Sequence, residues 1–248
     1  MLIYGRSGAG KTYLACTAEK PLVVLSEYNV SIPTLLALHR ETGADPDIFE
    51  VTSWNDYMDA YKYAAANLSK YKTIVIDGIT DLNYRVMREI LDTGIAHKAE
   101  HDQDILEIGE YNKLHQRTMY AVKLFRDLPI DVVFTALEQD IKKEMITVPM
   151  ITPKSTALLL PSQFNTVGNL IVKPKGNNNV RELQVHAQLT KEGKNPGGAL
   201  SQVITSPNLA TLIPEARKAL QTMAQSSTPE AAAGVSAVTP CDTPCKAF

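Results

Sequence analysis

Little in this 248-residue chain is extreme, and each shortage closes off a class of function. There are three cysteines, Cys16, Cys241 and Cys245. They make no disulfide framework, and the last two lack the second pair of ligands that a zinc site needs. No apolar run approaches the length of a membrane span, and no signal peptide precedes the first motif, so a cytoplasmic location and no membrane partner are expected. The formal net charge is −2. Such a chain has no global basic field to draw in nucleic acid, and any such contact must come from local loops. Between Arg40 and Arg181 the only arginines are Arg85, Arg88, Arg117 and Arg126. They are scattered along expected helices rather than gathered into the lid of a small kinase. What remains is an ordinary globular composition, 44% hydrophobic.

Against that background one stretch stands out. Gly5-Arg6-Ser7-Gly8-Ala9-Gly10-Lys11-Thr12 reads G-x-x-x-x-G-K-T, a phosphate-binding P-loop. Glycines let backbone N–H groups turn inward around phosphate oxygens in conformations that a Cβ resists. Lys11 then supplies a point charge to the β- and γ-phosphates, and the Thr12 hydroxyl a ligand for Mg²⁺. The apolar Leu2-Ile3-Tyr4 before the loop reads as a strand, and Tyr13–Lys20 after it as a helix. That strand starts at the first residues, so it is either short or preceded by residues outside this sequence.

The rest of the chain alternates strand and helix, the pattern of a parallel sheet covered on both faces. Strands are expected at 21–26, 49–51, 72–77 and 130–135, and helices at 32–41, 53–68, 81–92 and 103–126. Ser53 with Asp56 three residues on forms a capping pair. Beyond Glu138 the character changes. Strand-like runs at 142–148, 167–173 and 180–189 include a hairpin across Gly176–Asn179 at an edge of the sheet. An amphipathic helix over 214–223 closes a core of residues 1–224. Residues 225–248, rich in Ser, Thr, Pro and Ala, read as a disordered tail.

Further candidates cluster at strand ends. Asp77 closes Thr73-Ile74-Val75-Ile76 and fits the carboxylate that holds Mg²⁺ beside a P-loop; otherwise it caps the next turn. Gly78 follows it, where many P-loop enzymes carry a glutamate base. Glu27, at the end of Leu22–Ser26, is the substitute base, since strand ends of such a sheet converge on the ligand crevice. Thr135 ends another strand where a γ-phosphate sensor sits, with Glu138 and Gln139 behind it. His97 and His101 lie four apart but lack a third ligand pattern, so a polar loop is the better reading. Trp54, Tyr57 and Tyr61 have helical spacing and read as packing.

Together with Leu25-Ser26-Glu27, Thr73–Leu82, Phe125–Ala136 and Leu160–Val167, the P-loop makes the chain resemble RecA-like P-loop ATPases encoded by bacteriophages, including RecA-like single-strand-annealing ATPases. The resemblance implies an α/β RecA-like P-loop NTPase fold, a mostly parallel sheet sandwiched by helices with a C-terminal β-hairpin. It implies ATP and Mg²⁺ as cofactors, ATP hydrolysis to ADP and phosphate, a homo-oligomer with ATP at subunit interfaces, and action on single-stranded DNA in recombination or replication. Two departures stand out. Gly78 replaces the family's usual serine, and Pro196 in Lys191-Glu192-Gly193-Lys194-Asn195-Pro196 stands where a K-x-R motif has arginine. The region resembling DNA-contacting loops carries Lys142, Lys143 and Lys154, with Lys173, Lys175 and Arg181 on the hairpin. Such a cluster can neutralise phosphates of a single strand, or form a solvated face; Phe164 is the only aromatic nearby. The competing functions are a nucleotide-gated binding module that turns over little or no ATP, and a small P-loop kinase.

Overall fold

The computed structural model describes residues 1–26, 28–97, 102, 104–176, 178–188 and 190–226, with positions 28, 29, 97, 197 and 223–226 described by backbone alone. Glu27, Glu100, His101 and Gln103 lie outside the described residues, as does the expected tail from 227 onward with Cys241 and Cys245.

The strands are β1 (Leu2–Gly5), β2 (Pro21–Leu25), β3 (Asp47–Glu50), β4 (Thr73–Asp77), β5 (Asp131–Ile141), β6 (Ile146–Pro149), β7 (Val167–Lys175), β8 (Asn178–Gln184) and β9 (Val203–Thr205). The helices are α1 (Lys11–Cys16), α2 (Tyr28–Thr42), α3 (Trp54–Ala66), α4 (Ile79–His97), α5 (Ile108–Arg126), α6 (Lys154–Leu159) and α7 (Leu209–Ser226). One sheet runs in the order β3-β2-β4-β5-β1-β7-β8-β9, with β6 pairing β5 off that path. From β3 through β1 to β7 every pairing is parallel, and β8 and β9 add antiparallel neighbours. This is the expected α/β architecture, a mostly parallel sheet flanked by helices with an antiparallel hairpin toward one end.

Side-chain alternation along the strands splits the core in two. Leu2, Tyr4, Leu22, Val24, Ile74, Ile76 and Phe134 pack on one face against α3, α4 and α5. Ile3, Val23, Val75 and Val133 face the other way, toward Leu14 of α1, Leu38 of α2 and Leu209 of α7. The strands are apolar on both faces because both are covered, which is why they read as unbroken hydrophobic runs. The Trp54–Tyr57–Tyr61 series is packing. Tyr57 is 1% exposed, with its ring 4.9 Å from that of Phe125, and Tyr61 lies 5.5 Å from Phe125.

The capping pair is realised. Ser53 Oγ accepts from the Asp56 N–H at 3.2 Å, and Asp56 Oδ2 accepts from the Ser53 N–H at 2.9 Å. Several boundaries differ from expectation. α1 stops at Cys16, because Thr17 folds back to donate its hydroxyl to the Leu14 carbonyl at 2.7 Å, and Lys20 then takes φ 42° before Pro21. β5 runs six residues beyond Thr135, since Ala136 and Leu137 pair with β1 and β6 pairs with it from Glu138 onward. The run expected as a strand over 142–148 is mostly the turn joining them. α5 begins at Ile108 rather than 103. α7 begins at Leu209, before Pro214, where the Asn208 side chain accepts the Ala210 N–H at 2.9 Å. α6 and β9 have no counterpart in the sequence reading. The hairpin is not itself the sheet edge: β7 lies against β1, and β9 covers β8.

Replacing Ser53 by Ala removes one half of the capping box. The expected loss is about 1 kcal/mol of unfolding free energy, read as a midpoint shift with unchanged slope in urea denaturation.

Candidate functional site

All the parallel strands end at one edge of the sheet, and the P-loop, Ser26, Asp77 and Thr135 gather there. The loop takes its shape from two left-handed glycines, Gly8 at φ 75° and Gly10 at φ 93°, the second capping α1. Gly5 is needed for a different reason. A Cβ there would lie 2.3 Å from the Leu170 carbonyl oxygen of β7. The Lys11 ammonium crosses the loop and donates to the carbonyls of Gly5 at 3.0 Å and Arg6 at 2.8 Å. A cation is thus held over a ring of turned backbone, the electrostatic arrangement a polyphosphate requires.

The sheet order explains the centre of the site. β5 lies between β1 and β4, so Thr135 becomes the lateral neighbour of Asp77. Its hydroxyl donates to Asp77 Oδ1 at 2.5 Å, while Thr12 Oγ1, from the P-loop, donates to Asp77 Oδ2 at 2.8 Å. Three segments far apart in sequence meet on one carboxylate. Asp77 is 6% exposed. Its pKa is raised, chiefly by burial, against the opposing pull of the Thr135 and Thr12 hydroxyls and the Lys11 charge. The same carboxylate, after burial itself, helps push the Cys16 thiol upward, so that buried side chain stays a neutral thiol.

Around this centre lies a cavity of about 760 Å³, within the range of sites for small ligands. The P-loop and Asp77 form its floor, Pro33, Thr34 and Ala37 of α2 one wall, and Thr80, Asp81 and Tyr84 of α4 another. Arg85 braces this rim. It donates to the Ser26 carbonyl at 2.7 Å and the Thr52 carbonyl at 3.0 Å, and pairs with Asp81. The hard oxygens of Thr12 and Asp77 suit Mg²⁺, which takes one or two protein oxygens and completes its shell with phosphate and water. Among the described residues no group of three or more His, Cys, Asp or Glu side chains could hold a metal on its own.

The structure brings Gly5, Arg6, Ser7, Gly8, Ala9, Gly10, Lys11, Thr12, Asp77 and Thr135 to this edge. Thr135, expected to face a γ-phosphate, is buried with its hydroxyl on Asp77. Glu138 accepts from Arg6 at 3.1 Å and from Asn169 at 2.8 Å, and Gln139 donates to the carbonyls of Pro149 and Ile151. Lys191 donates to Asn169 at 2.7 Å, and Lys194 pairs through its backbone with Val167.

The basic cluster expected on one DNA-facing surface is divided. Lys154 pairs with Glu144, Lys173 pairs with Glu182 at 2.7 Å, and Lys142, Lys143 and Lys175 are exposed. Arg181 reaches back from β8 to the P-loop, donating through Nε to the Ala9 carbonyl at 3.2 Å, with its guanidinium 5.6 Å from the centre of the Tyr13 ring. Phe164 is 3% exposed and packs edge-on against Phe134, so its face is not offered to a base. The roles of Arg181 and Arg85 at the rim went unread in the sequence. Nothing local marks Arg181 as a neighbour of Ala9 and Tyr13.

Burial of Asp77 has a consequence for stability. With the folded pKa raised, the folded state holds the proton more tightly than the unfolded chain, so ionisation costs stability as pH rises through that value. Asp77→Asn should leave the melting temperature of the ligand-free protein at neutral pH unchanged or higher. It should weaken Mg²⁺-dependent nucleotide binding by about 10–100-fold. Calorimetric titration with and without Mg²⁺, beside thermal denaturation, reads both effects.

Among the described residues no helix is long and apolar enough to cross a membrane. No curated protein matches the chain. Solved structures that the chain is similar to include a KaiC-like protein from the hyperthermophilic archaeon Pyrococcus horikoshii, 14% identical, with 74% of this chain and 76% of that one covered at a TM-score of 0.43. Another is the flagellar accessory protein FlaH from Methanocaldococcus jannaschii, 12% identical, with 84% and 86% covered at a TM-score of 0.40. A family profile described as an AAA domain matches residues 1–196, from the P-loop strand to beyond Lys194. With that match over most of its length, and a phosphate loop joined to a buried strand-end carboxylate, the chain belongs to the AAA domain family.

Proposed function

We propose that this chain binds ATP with Mg²⁺ in the Lys11–Thr12–Asp77 pocket and hydrolyses it to ADP and phosphate. The observation that carries this reading is the 2.8 Å hydrogen bond between Thr12 and Asp77. It puts the two oxygen groups suited to the ion beside a cation held over the loop. Bound Mg²⁺ would supply charge neutralisation for the β- and γ-phosphates. Lys11 would exchange its two carbonyl partners for phosphate oxygens, and the loop N–H groups would fix the chain of phosphates. Thr135 would keep Asp77 oriented.

Hydrolysis also needs a group to take or orient the water's proton. We assign this to Glu27. Ser26, which precedes it in the chain, donates its N–H to the Asp77 carbonyl at 3.0 Å, and β2 and β4 end side by side in register, Leu25 opposite Asp77. Gly78 has no side chain for the purpose.

A coupled action on single-stranded DNA is the further part of this proposal. It is supported by the continuity of β5, which runs from Thr135 at the buried carboxylate to Ile141, where the exposed turn bearing Lys142 and Lys143 begins. These two and Lys175 are the lysines of the cluster left to meet phosphates.

Two measurements check these assignments. Glu27→Gln should keep ATP affinity within about twofold and lower the hydrolysis rate by about 10²–10⁴-fold. Wild-type turnover in that variant removes Glu27 from the mechanism, and no turnover in the unsubstituted protein leaves a binding module. For DNA, a labelled oligonucleotide should bind in a salt-sensitive manner with ATP present, and the paired variant Lys142→Ala/Lys143→Ala should weaken it. Absence of salt-sensitive binding with and without ATP overturns the DNA reading.

A further inference from the structure

We infer that Tyr13 and Arg181 form a subsite for the nucleoside half of the bound nucleotide, a stacked aromatic–guanidinium platform that grips the face of a base. This rests on the reading of the P-loop cavity as a nucleotide site, and it names the part of that site which the P-loop motif leaves unspecified.

The sheet order gives the direction. β1, which delivers the P-loop, has β4 with Asp77 two strands away on one side and β8 with Arg181 two strands away on the other. Thr12 is drawn toward Asp77 by its hydrogen bond, which sets the metal end of a polyphosphate lying across the loop. The other end, which carries the nucleoside, then points toward β8. Tyr13 follows Thr12 on α1 and is turned about 100° from it around the helix. Its ring lies beneath the Arg181 guanidinium, and both side chains line the same cavity as Lys11, Thr12 and Asp77.

The pair is built rather than incidental. Arg181 Nε is tied to the Ala9 carbonyl at 3.2 Å, which fixes the plane of the guanidinium beside the loop. It can come this close because position 10 has no side chain, since a Cβ on Gly10 would lie 2.4 Å from Arg181 Nε. The Tyr13 hydroxyl donates to Glu41 Oε2 of α2 at 2.8 Å, anchoring the far end of the ring. Among the described residues the terminal nitrogens of Arg181 meet no hydrogen-bonding or charged partner, and the residue is exposed at the cavity rim. A half-exposed tyrosine ring and a fixed planar cation offer π-faces that any base can stack on. Arginine, unlike lysine, presents such a face.

Inorganic tripolyphosphate separates the two halves of the ligand, because it carries the phosphates and no base. Calorimetric titration with Mg²⁺ should show tripolyphosphate and ATP both binding the unsubstituted protein, ATP more tightly. In Arg181→Lys and in Tyr13→Leu, ATP affinity should fall about tenfold or more, with tripolyphosphate affinity within twofold and thermal denaturation confirming the fold. Equal loss for both ligands in Arg181→Gln, with recovery in Arg181→Lys, would show that Arg181 serves the phosphates alone, with no part in holding the base, and overturn the inference. Unchanged ATP affinity in both variants would overturn it as well. If tripolyphosphate binds the unsubstituted protein no less tightly than ATP, the phosphate site stands and the nucleoside subsite falls. If neither ligand binds, the reading of the pocket fails and takes the subsite with it.

Discussion

The buried carboxylate of Asp77 is the constraint around which this structure is arranged. Taking an ionisable group out of water is costly, and the fold offsets part of that cost with hydroxyls from Thr12 and Thr135 and with the charge of Lys11. Those partners come from the P-loop and from β5, and they can meet on β4 only because β5 is inserted between β1 and β4. Strand order, loop conformation and site chemistry are therefore one problem with one solution. A buried carboxylate whose pKa burial raises gains from a cation brought beside it.

Around that centre the loop is held on both flanks. On the β4 side Thr12 is fastened to Asp77. On the β8 side Arg181 is fastened to the Ala9 carbonyl, and Arg6 pairs with Glu138, itself bound to Asn169 of β7. The Arg6–Glu138 pair is mostly solvent-exposed at its arginine and contributes little by itself. What the set provides is geometric. A short loop with two left-handed glycines is confined from several directions, so that little reorganisation stands between it and a bound phosphate chain.

How much of this could be read from the chain varies with the range of the interaction. The P-loop was legible because the spacing of its glycines, lysine and threonine is a local backbone requirement. Asp77 was legible because it ends an apolar strand, and the Ser53–Asp56 box because both halves lie within one turn. The far limit of β5 was not, since residues 138–141 become strand only by pairing with β6. Nor was the dispersal of the basic cluster. Arg181, Lys154 and Lys173 look alike in sequence, and only their partners — the Ala9 carbonyl, Glu144 and Glu182 — divide them.

The sequence by itself determined the alternating α/β plan, the phosphate loop and the carboxylate at a strand tip, because each follows from periodicity or from backbone conformation over a few residues. The tertiary structure alone decided that Thr135 would hold Asp77, that Arg85 would brace the Ser26 end of β2, and that Arg181 would cross from the far hairpin to Tyr13. Those contacts join residues that sequence separation makes strangers. They exist because parallel strands deliver their ends to one edge, and the order of strands in the sheet decides which ends become neighbours.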